Sequence, residues 1–228
     1  MDTLQQVAQK VGAAAKFDYS GFKYGVDTSH HNGVIDWKRV KDEGIINADG
    51  TRTKVDFAYV KITEGASGRD PKAGINAAEC YRLGLPWGVY HYCTLNDKDE
   101  ARDATTEAQY FLKRLADLPP YQMPITLDIE DPKAIMTPPE VLNWINTFFA
   151  VIDAAGHGDY ILYSYSPFLR KNLPPNHGLE RLRLWAARYS KELPLSVPGW
   201  GQNFWMWQFS NNGKVAGISG DVDLNKIL

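Results

Sequence analysis

Cysteine is scarce in this chain, with only Cys80 and Cys93 among 228 residues. Two lone thiols give no disulfide framework, and no cluster stands at zinc-ligand spacing. Both are expected to be small buried side chains in a reducing compartment. Neither sign of charge is in surplus. Lys and Arg number 25 against 27 Asp and Glu, a net of −2 without long charged blocks, and this argues against nucleic acid as a partner. No apolar run reaches the length of a membrane span. Residues 1–21 lack a basic stretch leading into an uninterrupted apolar core, so synthesis in the cytoplasm without a secretory signal is expected. The His30-His31 pair has no third ligand at helical spacing, and no metal site or cofactor is expected from it.

Aromatic residues, in contrast, are plentiful. Seven Trp, twelve Tyr and nine Phe exceed what a core of this size needs, and aromatic faces are what sugar rings stack on. Core packing competes with that role at each position.

The stretch Pro124-Ile125-Thr126-Leu127-Asp128-Ile129-Glu130-Asp131 is the most informative. It opens as a β-branched, apolar strand and ends in three carboxylates before Pro132. Residues two apart in a strand share a face, which brings Asp128 and Glu130 together with Cα atoms about 6.5 Å apart. Two acids in one partly desolvated cleft cannot ionise equally, so one is pushed toward the neutral form while the other stays an anion. Acid-assisted glycoside cleavage needs such a pair. A strand end that caps a helix or pairs with Arg would explain the same residues.

Around this strand the chain alternates. Residues 2–16 read as a short polar helix, and residues 1–23 as an N-terminal appendage. Strands are expected at 24–27, 55–62, 86–92 and 160–165. Helices are expected from Trp37 behind Asp36 as N-cap, from Ala73 to Leu83 before Gly84, from Asp99 to Leu115, and from Thr137-Pro138-Pro139-Glu140 to Ala155. The strand ends at Asp27, Glu64, His91, Glu130 and Tyr163 recur at the spacing of a full β-α-β step, about 30 residues or more. Further strands at 182–189, 204–209 and 220–224 lie too close together for helices between them. The fold class expected is therefore α/β, a TIM-like barrel over residues 24–228 with five βα units followed by about three strands with little or no helix. Its active site should lie at the strand ends, near Asp27, Glu64, His91, Asp128, Glu130 and Trp207.

Seven segments in order, Gly25-Val26-Asp27-Thr28-Ser29 with Ile35-Asp36-Trp37, Val55-Asp56-Phe57-Ala58 with Thr63-Glu64-Gly65, Gly88-Val89-Tyr90-His91, Leu127-Asp128-Ile129-Glu130, Leu184-Trp185-Ala186-Ala187, Trp207-Gln208 and Val222-Asp223-Leu224-Asn225, resemble the family 25 glycoside hydrolases, the CH-type lysozymes. The resemblance runs from about Tyr24 to Leu228. It implies cleavage of the β-1,4 bond between N-acetylmuramic acid and N-acetylglucosamine in peptidoglycan. It also implies that Glu130 is the catalytic acid, with Asp128 beside it and Asp27 and Asp223 completing an acidic ring. Asn32 stands where many members carry Gln, which leaves the contacts of the first loop open.

Glu64, Tyr90, His91, Tyr92, Tyr163, Trp185, Trp207 and Gln208 are the candidate substrate contacts. For His91 a satisfied barrel histidine competes with a sugar contact. Asp128 would either stabilise the oxocarbenium-like centre or hold the 2-acetamido group as that group attacks. The partner expected is the glycan strand of bacterial peptidoglycan, and the chain is expected to be a monomer. Action on the bacterial wall without a signal peptide suits a phage-type lysin or a virion-associated enzyme. A metal-dependent polysaccharide deacetylase and a wall-binding module without catalysis are the alternatives, and a chitinase would differ only in substrate.

Overall fold

The computed structural model describes residues 18–95, 98–130 and 135–228. The helix expected over residues 2–16 lies outside them, as do Asp131 and Pro132. Eight strands form the barrel: β1 (Tyr24–Thr28), β2 (Phe57–Glu64), β3 (Trp87–Tyr92), β4 (Ile125–Asp128), β5 (Tyr160–Tyr165), β6 (Arg183–Ala187), β7 (Met206–Gly213) and β8 (Val222–Ile227). Helices α1 (Trp37–Glu43), α2 (Ala73–Leu83), α3 (Glu100–Leu115), α4 (Pro138–Ala154) and α5 (Ser166–Asn172) follow β1 to β5 in turn. Five βα units and three strands without helices are thus what the spacing predicted.

The helix boundaries follow from local chemistry. The Asp36 side chain accepts a hydrogen bond from Arg39 N at the start of α1. Gly84 closes α2 with left-handed backbone, φ 63°. Thr137 and Glu140 form a capping box ahead of α4, with Pro in its first turn.

Strands β1 to β7 are parallel neighbours, and β8 alone runs antiparallel, wedged between β7 and β1. This reversal follows from the connection, because residues 214–221 contain no helix to carry the chain back across the sheet. As a result the start of β8, rather than its end, lies at the end of the barrel where β1 to β7 finish, with Asp223 paired in register with Asp27.

Side chains alternate between two cores. Outward residues such as Val26, Val60, Val89, Leu127 and Leu184 pack under the helices, against the buried stripe Ala104, Ala108, Phe111 on α3 and Val141, Ile145, Phe148 on α4. Inward residues Phe57, Tyr59, Met123, Ile161, Trp185 and Met206 fill the barrel. Residues 18–23 lie against its base: Phe22 stacks on Phe57 at 6.3 Å, and Tyr19 meets Trp205 edge-on at 5.5 Å. A Cβ at Gly88 would lie 2.5 Å from the Tyr59 ring and 2.7 Å from Met123 Cβ. The aromatic filling therefore requires glycine there.

Gly88→Ala should cost about 1–3 kcal/mol through overpacking, read as a lower urea midpoint with an unchanged m-value. An unchanged midpoint would mean that the barrel interior is looser than its contacts imply.

Candidate active site

The period-two alternation of β1, β4 and β8 delivers Asp27, Asp128, Glu130 and Asp223 to the inner face at one end of the barrel. Asp27 is 7% exposed and Asp128 6%. Glu130 and Asp223 are half-buried and reach toward solvent.

Asp27 is held by neutral donors. Gln208 Nε2 donates to its Oδ2 at 2.9 Å, and Asn225 Nδ2 donates to the same oxygen at 2.7 Å. Each amide is in turn oriented from behind. The Tyr163 hydroxyl donates to Gln208 Oε1 at 2.7 Å, and Trp185 Nε1 donates to Asn225 Oδ1 at 3.0 Å. Two chains of hydrogen bonds thus run through the barrel and end on one carboxylate.

Burial raises the Asp27 pKa, and the hydrogen bonds from Asn225 and Gln208 oppose the rise. Asp223 is raised to about 8, first by burial and then by the charge of Asp27, with which it also shares a hydrogen bond. At neutral pH Asp223 is therefore the protonated partner. Asp128 stands well above the usual carboxylate range because of burial and then the Glu130 charge, and its Oδ1 is buried without a hydrogen-bond partner. Glu130 is raised to about 7 by burial and then by Asp27. Lys61 opposes the rise at both Asp128 and Glu130. The two acids titrate as a pair, and near neutrality the pair holds a proton.

The remaining candidates divide by strand face. Tyr90 and Tyr92 are half-buried on the inner face of β3, and the Tyr90 hydroxyl is raised by burial and then by Asp27, Asp128 and Asp223. Glu64 is at the mouth, with its side chain 49% exposed and paired with Lys61 Nζ at 2.6 Å. Tyr163 and Gln208 are buried and support Asp27 from below.

Three expected contacts are corrected. His91 is 0% exposed and faces outward, with Nδ1 2.8 Å from Thr63 Oγ1 and Nε2 2.8 Å from Glu107 Oε2. Its ring stacks on Phe148 at 5.3 Å, so no sugar reaches it. Trp185 is 2% exposed inside the barrel against Tyr59. Trp207 alternates to the face opposite Met206 and Gln208, and its Nε1 donates to Arg188 O at 2.9 Å. Both indoles are covered and offer no open stacking surface.

Lys61, Asn225 and Tyr189, which also border the four acids, were not among the candidate site residues. Asn225 had a signal, since it lies two residues beyond Asp223 on one strand face. Lys61 had one too, as an isolated cation in an apolar strand. Tyr189 had none: it follows β6 in a loop, is 52% exposed, and has its hydroxyl raised to about 12 by burial and then by Asp223 and Glu130. Among the described residues no three His, Cys, Asp or Glu side chains converge to hold a metal ion. Among the same residues no helix is long and apolar enough to cross a membrane.

Known proteins resemble this chain in both sequence and fold. Lysozyme M1 of Streptomyces globisporus is 31% identical over 217 residues, 92% of this chain and 68% of that protein. The bacterial lysozyme of Streptomyces coelicolor superposes with a TM-score of 0.75 at 29% identity, covering 92% of this chain and 93% of the other. The modular autolysin LytC of Streptococcus pneumoniae gives 0.75 at 26% identity, over 93% of this chain and 48% of its own. The family model described as glycosyl hydrolases family 25 matches residues 26–218, a span that runs from within β1 past the end of β7 and contains three of the four acids at the mouth. On these grounds the chain belongs to glycosyl hydrolases family 25 and is a lysozyme-type glycoside hydrolase.

Proposed function

We propose that this enzyme cleaves the β-1,4 bond between N-acetylmuramic acid and N-acetylglucosamine in bacterial peptidoglycan, with Glu130 as the proton donor. The observation that carries the assignment is the contrast within the acid pair. Glu130 reaches solvent at the lip of the mouth and has a pKa raised to about 7, whereas Asp128 lies below it at 6% exposure. A general acid must reach the leaving oxygen and keep its proton near neutral pH, and the half-buried position and raised pKa of Glu130 support that role.

In this reading the glycosidic oxygen takes the Glu130 proton as the bond to the anomeric carbon breaks. In the reacting form the pair's shared proton is on Glu130, which leaves Asp128, whose Oδ1 is buried without a hydrogen-bond partner, as the anion beneath the sugar. That anion either accepts a hydrogen bond from the 2-acetamido N–H as that group attacks, or it faces the oxocarbenium-like centre directly. Lys61 favours the charged form of the pair. Asp27 and Asp223 position the pair: their shared proton leaves one negative charge, not two, behind Glu130. Tyr90 and Tyr92 face the glycan. The chain acts as a monomer on the bacterial wall.

Digestion of purified peptidoglycan should release reducing ends on N-acetylmuramic acid, with or without chelator. Glu130→Gln should lower kcat by about 100-fold or more with little change in KM. Asp223→Asn should cost less, because an amide keeps the hydrogen-bond donor that the protonated acid supplies to Asp27. The reverse order would assign the proton to the wrong acid.

The pH profile of kcat/KM should be bell-shaped. Activity requires one proton on the Asp128–Glu130 pair, so the alkaline limb falls at about pH 7 or above. Addition of a second proton to the Asp128–Glu130 pair removes the anion and sets the acid limb. A flat rate from pH 6 to 9 would contradict the raised acid.

The same shift predicts a stability effect. The folded pKa of Glu130 exceeds the unfolded value, so the stability tied to its neutral form is complete below about pH 4 and is lost as pH rises through about 7. Glu130→Gln should therefore melt above wild type at pH 9, with the gap closing by pH 4. Equal melting temperatures at both values would show that burial does not perturb this group.

A further inference from the structure

Beside the mouth, the short strand Gly68–Arg69 folds back antiparallel on the end of β2, pairing Thr63 with Arg69 and Glu64 with Gly68. This hairpin is closely built. A Cβ at Gly68 would lie 2.5 Å from Glu64 O, and one at Gly65 would lie 2.9 Å from Thr94 Oγ1. Asp70, 3% exposed, ties the hairpin down by accepting from His30 N and Lys72 N, each at 2.8 Å.

Between the hairpin and the mouth lies a cavity of about 400 Å³, whose lining includes His30, Lys61, Glu64, Arg69, Asp70 and Thr94. Lys61, on the inner face of β2, links it to the acidic mouth through its charge, opposing the pKa rise of Asp128 and Glu130, and the Asp70 charge reaches the Tyr90 hydroxyl.

The lining is unsuited to a sugar ring, because it has charged groups and small residues but no Trp, Tyr or Phe face. Its charged groups are Lys61, Arg69, Glu64, Asp70 and Asp103, with the His30 ring beside Asp70 and Asp103 accepting from Trp144 Nε1 at 2.8 Å. Lys61 is paired with Glu64, and His30 with Asp70. Arg69 is exposed and makes no ion pair among the described residues. A guanidinium in this position presents a planar fork matched to a carboxylate.

If the sugar in the centre is N-acetylmuramic acid, as proposed above, its lactyl ether carries a peptide with free carboxylates. We infer that this cavity is a subsite for that peptide stem and that Arg69 binds one of its carboxylates. The enzyme then reads the peptide as well as the glycan, and this inference rests on the muramidase reading.

The test uses soluble glycan fragments in two forms, one bearing peptides and one stripped of them by an amidase. Wild type and Arg69→Ala are compared by release of reducing ends. For Arg69→Ala, KM on the peptide-bearing form should rise about fivefold, the loss of one exposed charged pair, at unchanged kcat. KM on the stripped form should not move. Arg69→Lys, which keeps the charge and loses the fork, should fall between. An equal change on both substrates, or none on the peptide-bearing one, would overturn the subsite. Failure of wild type on both forms would instead remove the muramidase reading, and the subsite with it.

Discussion

Asp27 sits under the mouth of the barrel with two amide donors on one of its oxygens, and among the described residues it has no ion pair. A buried carboxylate without a cation is held only if its hydrogen bonds are well aimed. Here the aim is secured from behind by Tyr163 and Trp185. A cation at Asp27 would cancel the charge that helps to raise Glu130 and Asp223. Neutral donors retain Asp27 while leaving its field to act on its neighbours.

The same economy governs Lys61, the cation that opposes the rise at both Asp128 and Glu130. It is shared: Glu64 takes it at 2.6 Å, and its ammonium lies 4.9 Å from the Tyr92 ring centre. A lysine bound so closely to a third acid moderates the pair without suppressing the raised pKa of either member. On the outer face, His91, Glu107, Thr63 and Thr94 close a second polar network. This network anchors the ends of β2 and β3 to α3, and so fixes where Lys61 and Tyr92 emerge.

Much of this was legible in the chain. Asp36, Gly84 and Thr137 announce helix boundaries through local chemistry that tertiary packing does not override, and the recurrence of strand ends gives five βα units. The direction of β8 was not legible, because alternation along a strand is the same read either way. The error over His91 was avoidable: Tyr90 and Tyr92 share a face, so His91 must point to the other. Trp185 and Trp207 show the limit of composition, since an indole serves packing and sugar stacking equally well. Tyr189 depends on the path of a loop, which nothing local encodes. Arg69 acquires its meaning only when Asp70 fastens the hairpin beside the mouth.

Strand β8 also determines when the centre comes into being. Its pairing with β1 joins residues 222–227 to residues 24–28, a contact of very high sequence order and therefore costly in loop closure and slow to form. Asn225, one of the two amides that steady Asp27, and the acid that shares its proton arrive on that strand. A chain still emerging from the ribosome, or one arrested before the barrel shuts, has Asp128 and Glu130 but lacks half of the frame that tunes them. Hydrolytic competence thus appears with closure itself, as a property of the finished barrel rather than of any segment.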